Sequence, residues 1–212
     1  MLKNFEPEEF EISLGLSEYF TYQDYLDRRI FLSTAIGVSE GIIVVNESSV
    51  ADEIVGCIFE YNRDDKGKAP EERQPIRIYI DSPGGDVTSG FAIISAIKVS
   101  KTPIYTINVG QWSSMAFLIG ICGHRRFSLP NMTFLMHDGD LLMAGSTNKA
   151  QDKMKFNQRY ENDVIKAHVL AHSNMTSSEY DALSRVEYYM LPEDALKHGF
   201  IDEVVTDIDT IL

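Results

Sequence analysis

The chain has 212 residues, 44% of them hydrophobic and 24% charged, with 19 basic against 32 acidic side chains and a formal net charge of −13. That length suits one substantial core with an elaboration rather than two full domains, and neither low complexity nor a short repeat is present. The acidic balance excludes a general phosphate-backbone binder, which needs a basic patch to release counterions.

One local basic run, Lys149, Lys153, Lys155 and Arg159, interleaves with Asp152 and Glu161 and reads as a solvated face. The two cysteines, Cys57 and Cys122, lie in apolar surroundings and read as small buried hydrophobes, not as a disulfide framework. The amino terminus turns acidic at once, without the apolar stretch of a signal peptide, and no run approaches 18 apolar residues. The expectation is a cytoplasmic protein with neither membrane nor nucleic acid as partner.

Residues 1–28, rich in Glu, Asp, Tyr and Phe without a clear period, read as an arm or short helices, and 29–212 as a single domain. Strands are expected at 29–33 and 41–45. Ser49 then caps a helix whose inward face is Val50, Ile54, Ile58 and Tyr61. Residues 62–75 have the composition of a solvated loop. Ile76 to Ile80 alternates as a strand, Asp81-Ser82-Pro83-Gly84-Gly85 turns the chain, and Val87, Phe91, Ile94 and Ile97 mark the apolar face of a helix. With the strand 104–109 these form a βαβ unit, whose crossover is expected to be right-handed.

The pattern recurs. Gly110-Gln111-Trp112-Ser113-Ser114 reads as a turn, Met115 to Cys122 is apolar on every side and so a buried helix, and Thr133 to Met136 is a strand. Two strand ends and two helix starts converge on one rim of the sheet, where open α/β sheets build their sites. From Ser146 to His172 a helical stretch of about 40 Å is expected, too long to cover one small sheet. Thr176 with Glu179 forms a capping box for a helix to Ser184, Pro192 and Gly199 bracket another, and 200–205 closes the sheet.

Ser114 follows a strand and a tight turn, precedes an apolar helix and leaves the Met115 N–H unpaired, the setting of an activated nucleophile. On this segment alone the better reading is a serine, Ser113 or Ser114, that simply caps a core helix. Gly84-Gly85 permits positive φ and lets a backbone amide face a ligand, but Pro-Gly-Gly is also an ordinary turn, and neither GxGxxG nor a P-loop ending is present. Among His124, His137, His168, His172 and His198, His137 stands out as a general base because it ends the strand that reaches the rim of Ser114. His168 and His172 stand four apart on a helix, but the HExxH glutamate is missing and no metal is expected.

The combination resembles the Clp protease proteolytic subunit family over nearly all the chain after about residue 25. Tyr79 to Gly85 is similar to the family's strand and glycine turn, Gly110 to Met115 to its nucleophile segment, Leu129-Pro130-Asn131 through Met136-His137 to its histidine segment, and Glu193 to Asp202 to its terminal helix and strand. The resemblance implies an α/β fold, the Clp protease/crotonase-like spiral of ββα (βαβ) units, with a protruding handle helix at about 140–175. It makes Ser114 the nucleophile, His137 the general base, and Gly85 and Met115 the N–H donors of the oxyanion hole. Counting back ungapped from Gly199, the triad acid falls on Glu187, where the family usually has aspartate; Asp138 and Asp181 do not match the motif position.

The implied activity is that of a serine endopeptidase forming an acyl-enzyme on unfolded polypeptides inside a heptameric ring, single or stacked in two, fed by an AAA-type unfoldase ATPase. No cofactor or metal is implied. Trp112 and Ser113 stand where the family has small residues, Ala116 where it has glycine, and Val186 where it has an arginine that helps two rings associate. Two other readings are a non-catalytic ring subunit of a mixed complex and an acyl-coenzyme A enzyme of the related crotonase fold.

Overall fold

The structure, a computed structural model, describes residues 16–37, 49–139 and 145–212. In chain order its elements are α1 (Leu16–Leu26), β1 (Arg29–Leu32), α2 (Val50–Asp64), β2 (Ile76–Ser82), α3 (Val87–Val99), β3 (Ile104–Ser113), α4 (Met115–Gly120), β4 (Arg125–Ser128), β5 (Thr133–Met136), α5 (Thr147–Tyr160), α6 (Ala167–Ala171), α7 (Ser177–Leu183), β6 (Tyr188–Met190), α8 (Pro192–Lys197) and β7 (Glu203–Val204). The expected strand 41–45 lies outside the described residues.

One sheet runs β1-β2-β3-β4-β7 with every pair parallel, β5 adds in parallel to the end of β3, and β6 pairs antiparallel with β5. Strand alternation divides it into two faces. Ile30, Leu32, Ile76, Ile78, Ile80 and Ile104 enter the main core with α2, α3 and α4. Tyr79, Ile107 and Phe127 face the other way and are covered by Val205 and Ile211 of the C-terminal segment, whose Ile211 carbonyl accepts from the Tyr79 hydroxyl at 2.5 Å. A mixed α/β fold with a parallel sheet is what the Clp protease/crotonase-like architecture requires.

The helix expectations hold with small rotations of the buried face. Ser49 caps α2 within a capping box, and Ala51, Ile54, Ile58 and Tyr61 are buried; α2 runs on to Asp64, three residues into the expected loop. That stretch also holds a buried ion pair. Arg28, in the left-handed region at φ 57°, donates to Asp65 Oδ2 and Oδ1 at 2.6 and 2.8 Å, and Thr102 Oγ1 donates to Oδ2 at 2.9 Å. The guanidinium holds the Asp65 carboxyl well below the usual carboxylate range.

The segment 110–113 differs from expectation: it is strand, not turn. Between the pairs Ile80↔Asn108 and Ser82↔Trp112 the chain takes two steps along β2 and four along β3, so β3 bulges around Gly110 and continues. The bulge lets β3 change neighbours, from β4 at Tyr105 to Asn108 to β5 at Gln111 to Ser113. Asn108, fully buried, ties the switch together, accepting from the Gly110 N–H at 3.1 Å and donating to the Thr133 carbonyl at 3.0 Å.

The long helix is present as a run from Thr147 to Ala171 with Glu161–Lys166 wound as π-helix. No residue of α5 is buried, and Met154 and Phe156 are exposed. Lys149, Lys153, Lys155 and Arg159 are exposed too, as a solvated face should be.

Candidate active site

Ser114 sits between β3 and α4 with φ 55° and ψ −122°, a conformation that costs a non-glycine residue about 1–3 kcal/mol and persists only when its surroundings impose it. Two features impose it. The Ser114 N–H donates to the Leu135 carbonyl of β5 at 3.0 Å, and all six residues of α4 are buried, so both flanks are fixed. The Ser114 side chain makes no capping bond, and Ser113 Oγ is occupied with Gln111 Oε1 at 3.1 Å. Neither serine caps the helix.

The glycine turn lies against this elbow. A Cβ on Gly84, at φ 94°, would stand 2.8 Å from both the Met115 nitrogen and Ser114 Cβ. Ser82 braces the turn, donating to the Thr34 carbonyl at 2.6 Å and accepting from the Gly84 N–H at 3.2 Å. Gly85 forms a parallel bridge with Ile36, made by the Ile36 N–H donating to Gly84 O at 2.8 Å and the Asp86 N–H donating to Ile36 O at 2.7 Å. In such a bridge the middle residue's own N–H points away from its partner strand. The Gly85 amide is therefore turned off Ile36, while Met115, first residue of its helix, has no carbonyl one turn back to bond. At φ 145°, a Gly85 Cβ would come 2.1 Å from Ile36 O, so no other residue fits.

His137 follows β5 directly, two residues after the carbonyl that holds Ser114. Its Nε2 is buried and has no hydrogen-bond partner among the described residues. An unpaired buried nitrogen costs about 1–3 kcal/mol, and a general base awaiting a hydroxyl is one reason to keep one. The other four histidines are engaged structurally. His124 Nδ1 accepts from the Ile104 N–H at 2.9 Å, and His198 Nε2 meets the Tyr188 hydroxyl at 2.9 Å. His168 is committed at both nitrogens, to Lys98 Nζ at 2.9 Å and Leu118 O at 2.8 Å, and burial pushes it down to about 4. His172 Nδ1 donates to the His168 carbonyl at 2.7 Å.

Register decides where the acid candidates stand. The antiparallel ladder pairs Phe134↔Met190, Leu135↔Tyr189 and Met136↔Tyr188 and ends there; continued one step, the same register would set His137 opposite Glu187, with no hydrogen bond joining the two side chains in the structure. Directly opposed residues bring their Cβ atoms to about 5 Å. The Glu187 carboxylate is exposed, and its Oε2 accepts from the Tyr189 hydroxyl at 2.6 Å. Asp181 is instead paired with Lys166 at 2.6 Å, and Asp138 is exposed beyond the strand end.

Three supporting residues were missed in the sequence: Asn108, Ser82 and Tyr189. Asn108 had a signal, a side-chain amide at an inward position of a mainly apolar strand; the other two had none. Trp112, two residues before Ser114, points into the core with no exposure and packs edge-on against Phe134, ring centroids 5.4 Å apart. It does not line the site. No group of His, Cys, Asp and Glu fit to hold a metal occurs among the described residues, and no described helix is long and apolar enough to cross a membrane.

Comparison with known proteins bears on the family of the chain. The family model described as Clp protease matches residues 39–207. A relative named "ATP-dependent Clp protease proteolytic subunit", from Deinococcus radiodurans, is 29% identical over 194 residues, covering 90% of this chain and 87% of the relative. Another, named "ATP-dependent Clp protease proteolytic subunit 1", from Protochlamydia amoebophila, is 29% identical over 188 residues, covering 87% and 83%. This chain belongs to the Clp protease family, a family of peptidases.

Proposed function

We propose that the protein is a serine endopeptidase with Ser114 as nucleophile, His137 as general base, Glu187 as the triad acid, and the Gly85 and Met115 amides as the oxyanion hole. The observation that carries this reading is the Ser114 backbone: strained, uncapped and pressed against the glycine turn. His137 Nε2 takes the Ser114 proton as Oγ attacks the peptide carbonyl, and the two amides receive the charge that develops on its oxygen. The imidazolium then protonates the departing amine, and water activated by the same histidine releases the acyl group. Glu187, opposite His137, holds the ring in the tautomer that leaves Nε2 free. Glutamate is one methylene longer than the usual aspartate but offers the same acceptor.

The family and the relatives' names support a subunit of a larger assembly that works with an ATPase on unfolded polypeptides. The exposed Met154 and Phe156 on the α5 handle support association between copies. A heptameric ring, alone or stacked in two, is the assembly proposed, and native mass measurement reads it directly. The peptidase itself uses no cofactor, and the proposed compartment is the cytoplasm.

The test is labelling by a fluorophosphonate with the adduct located by peptide mass mapping, alongside hydrolysis of a fluorogenic peptide. Label on Ser114, and loss of label and hydrolysis in Ser114→Ala, is the expected result. An unlabelled, inactive protein refutes the reading. Turnover of an acyl-coenzyme A without labelling points to the crotonase-type alternative.

A further inference from the structure

We infer that Tyr189 is a positioning residue that latches the Glu187 carboxylate in place for His137. The inference rests on the reading of Glu187 as the triad acid. Period-two alternation along the antiparallel pair puts Leu135 and Tyr189 on one face and, continued one residue past the ladder, His137 and Glu187 with them, while Phe134, Met136 and Met190 on the other face are buried. Tyr189 therefore stands directly across from Leu135, and on the diagonal from His137, within reach for an aromatic side chain.

A glutamate has one more rotatable bond than an aspartate, and at an exposed position it samples many rotamers. A carboxylate that wanders cannot hold an imidazole tautomer. The Tyr189 hydroxyl supplies the missing restraint, donating to Oε2 at 2.6 Å, the short distance of a charge-assisted bond. Oε1 has no partner among the described residues and is left for the histidine. Tyr189 is 64% exposed, so packing does not account for where its side chain sits. Hydrogen bonding to Glu187 also raises the phenol pKa. Glutamate at 187 and tyrosine at 189 thus act as a pair, the longer acid being usable because a neighbour two residues on holds its far oxygen.

A mutant cycle on the full chain tests this: wild type, Tyr189→Phe, Glu187→Ala and the double variant, each assayed for kcat and KM on a fluorogenic peptide and for the rate of fluorophosphonate labelling at Ser114. Phenylalanine keeps the exposed ring, so the thermal midpoint should not move. Tyr189→Phe should lower kcat about 5- to 30-fold, less than the full worth of a hydrogen bond to a charged group because both side chains are exposed to solvent, with KM unchanged. Glu187→Ala should lower it at least about 100-fold, and adding Tyr189→Phe to it should change neither kcat nor labelling rate by more than about twofold.

An unchanged kcat in Tyr189→Phe with a crippled Glu187→Ala overturns the latch and leaves the acid assignment standing. So does an equal loss in both backgrounds, which would mean that Tyr189 acts independently of Glu187. Full activity in Glu187→Ala overturns the acid assignment and the latch with it. A wild type that neither hydrolyses peptide nor labels at Ser114 overturns the entire reading.

Discussion

Two helices start on the same rim of the sheet, and they start differently. Before α3, Asp86 has an ordinary extended backbone, φ −61° and ψ 126°, and its side chain accepts from the Ser89 N–H at 2.7 Å. Before α4, Ser114 has φ 55° and gives its side chain to no backbone amide. Both are residue types that cap helices well. At α3 the sequence preference and the structure agree, and the result is stability. At α4 they disagree: a good capping residue is held in a strained conformation with its hydroxyl unused, which is where a local rule broken at a cost points to chemistry.

The comparison can be broken or sharpened by substitution at each start. Removing the hydroxyl in Ser114→Ala should abolish peptide hydrolysis, lowering kcat by about 10⁴-fold or more, whereas Asp86→Ala should leave kcat within a few fold; steady-state assays on both decide it. A fall of similar size in Asp86→Ala would erase the distinction between the two starts.

Next in size is Gly85→Ala. The added methyl must displace Ile36 O and the amide with it, so loss of about 10²- to 10³-fold in kcat is expected, the usual consequence of losing one oxyanion donor. Circular dichroism separates that effect from unfolding.

The far end of α4 gives a pH test. His168 Nε2 bonds to Leu118 O, and burial, with Lys98 and His172 nearby, lowers its pKa to about 4 against an ordinary value of 6.5. The unfolded chain binds the proton more readily, so this contribution is complete above about pH 6.5 and is lost as pH falls through about 4. On the order of 3 kcal/mol is at stake. Urea midpoints between pH 4 and 7 should fall on the acid side for the wild type, and much less steeply for His168→Gln.

The smallest effects concern the backbones themselves. Ser114→Gly relieves the positive φ and should raise stability by about 1 kcal/mol over Ser114→Ala, while Asp86→Ala should lower it by about 1 kcal/mol through the lost cap. Chemical denaturation of these variants reads both signs. Equal stability of Ser114→Gly and Ser114→Ala would mean that the elbow stores no strain.

Much of this molecule was legible in the sequence because the signals were local. The 3.6-residue spacing of Ile54, Ile58 and Tyr61, the Thr176–Glu179 box and the unbroken apolar run of α4 each specify an element through neighbours a few residues away. Asp65 shows the opposite case. It stands beside Asp64 in a charged stretch that reads as solvated, yet it is fully buried, because its partners Arg28 and Thr102 come from 37 residues before and after. The strands β4 and β6 went unforeseen for a related reason: four- and three-residue strands carry too few alternations to declare themselves. The Gly110 segment was misread because Gly-Gln after a strand suggests a turn, whereas Asn108 and β5 turn it into a bulge.

For the candidate site, the sequence offered Ser114 before an apolar helix, the Pro-Gly-Gly turn and His137 at a strand end, and the family resemblance gave them roles and added Glu187, counted back from Gly199. Only the tertiary structure decided their geometry. Whether Ser114 caps or stays free depends on the Leu135 carbonyl and the Gly84 backbone, and whether Glu187 can serve His137 depends on the β5–β6 register. Residue type and local spacing fix what a side chain can do chemically; long-range strand pairing fixes which others it meets, and no local pattern encodes that.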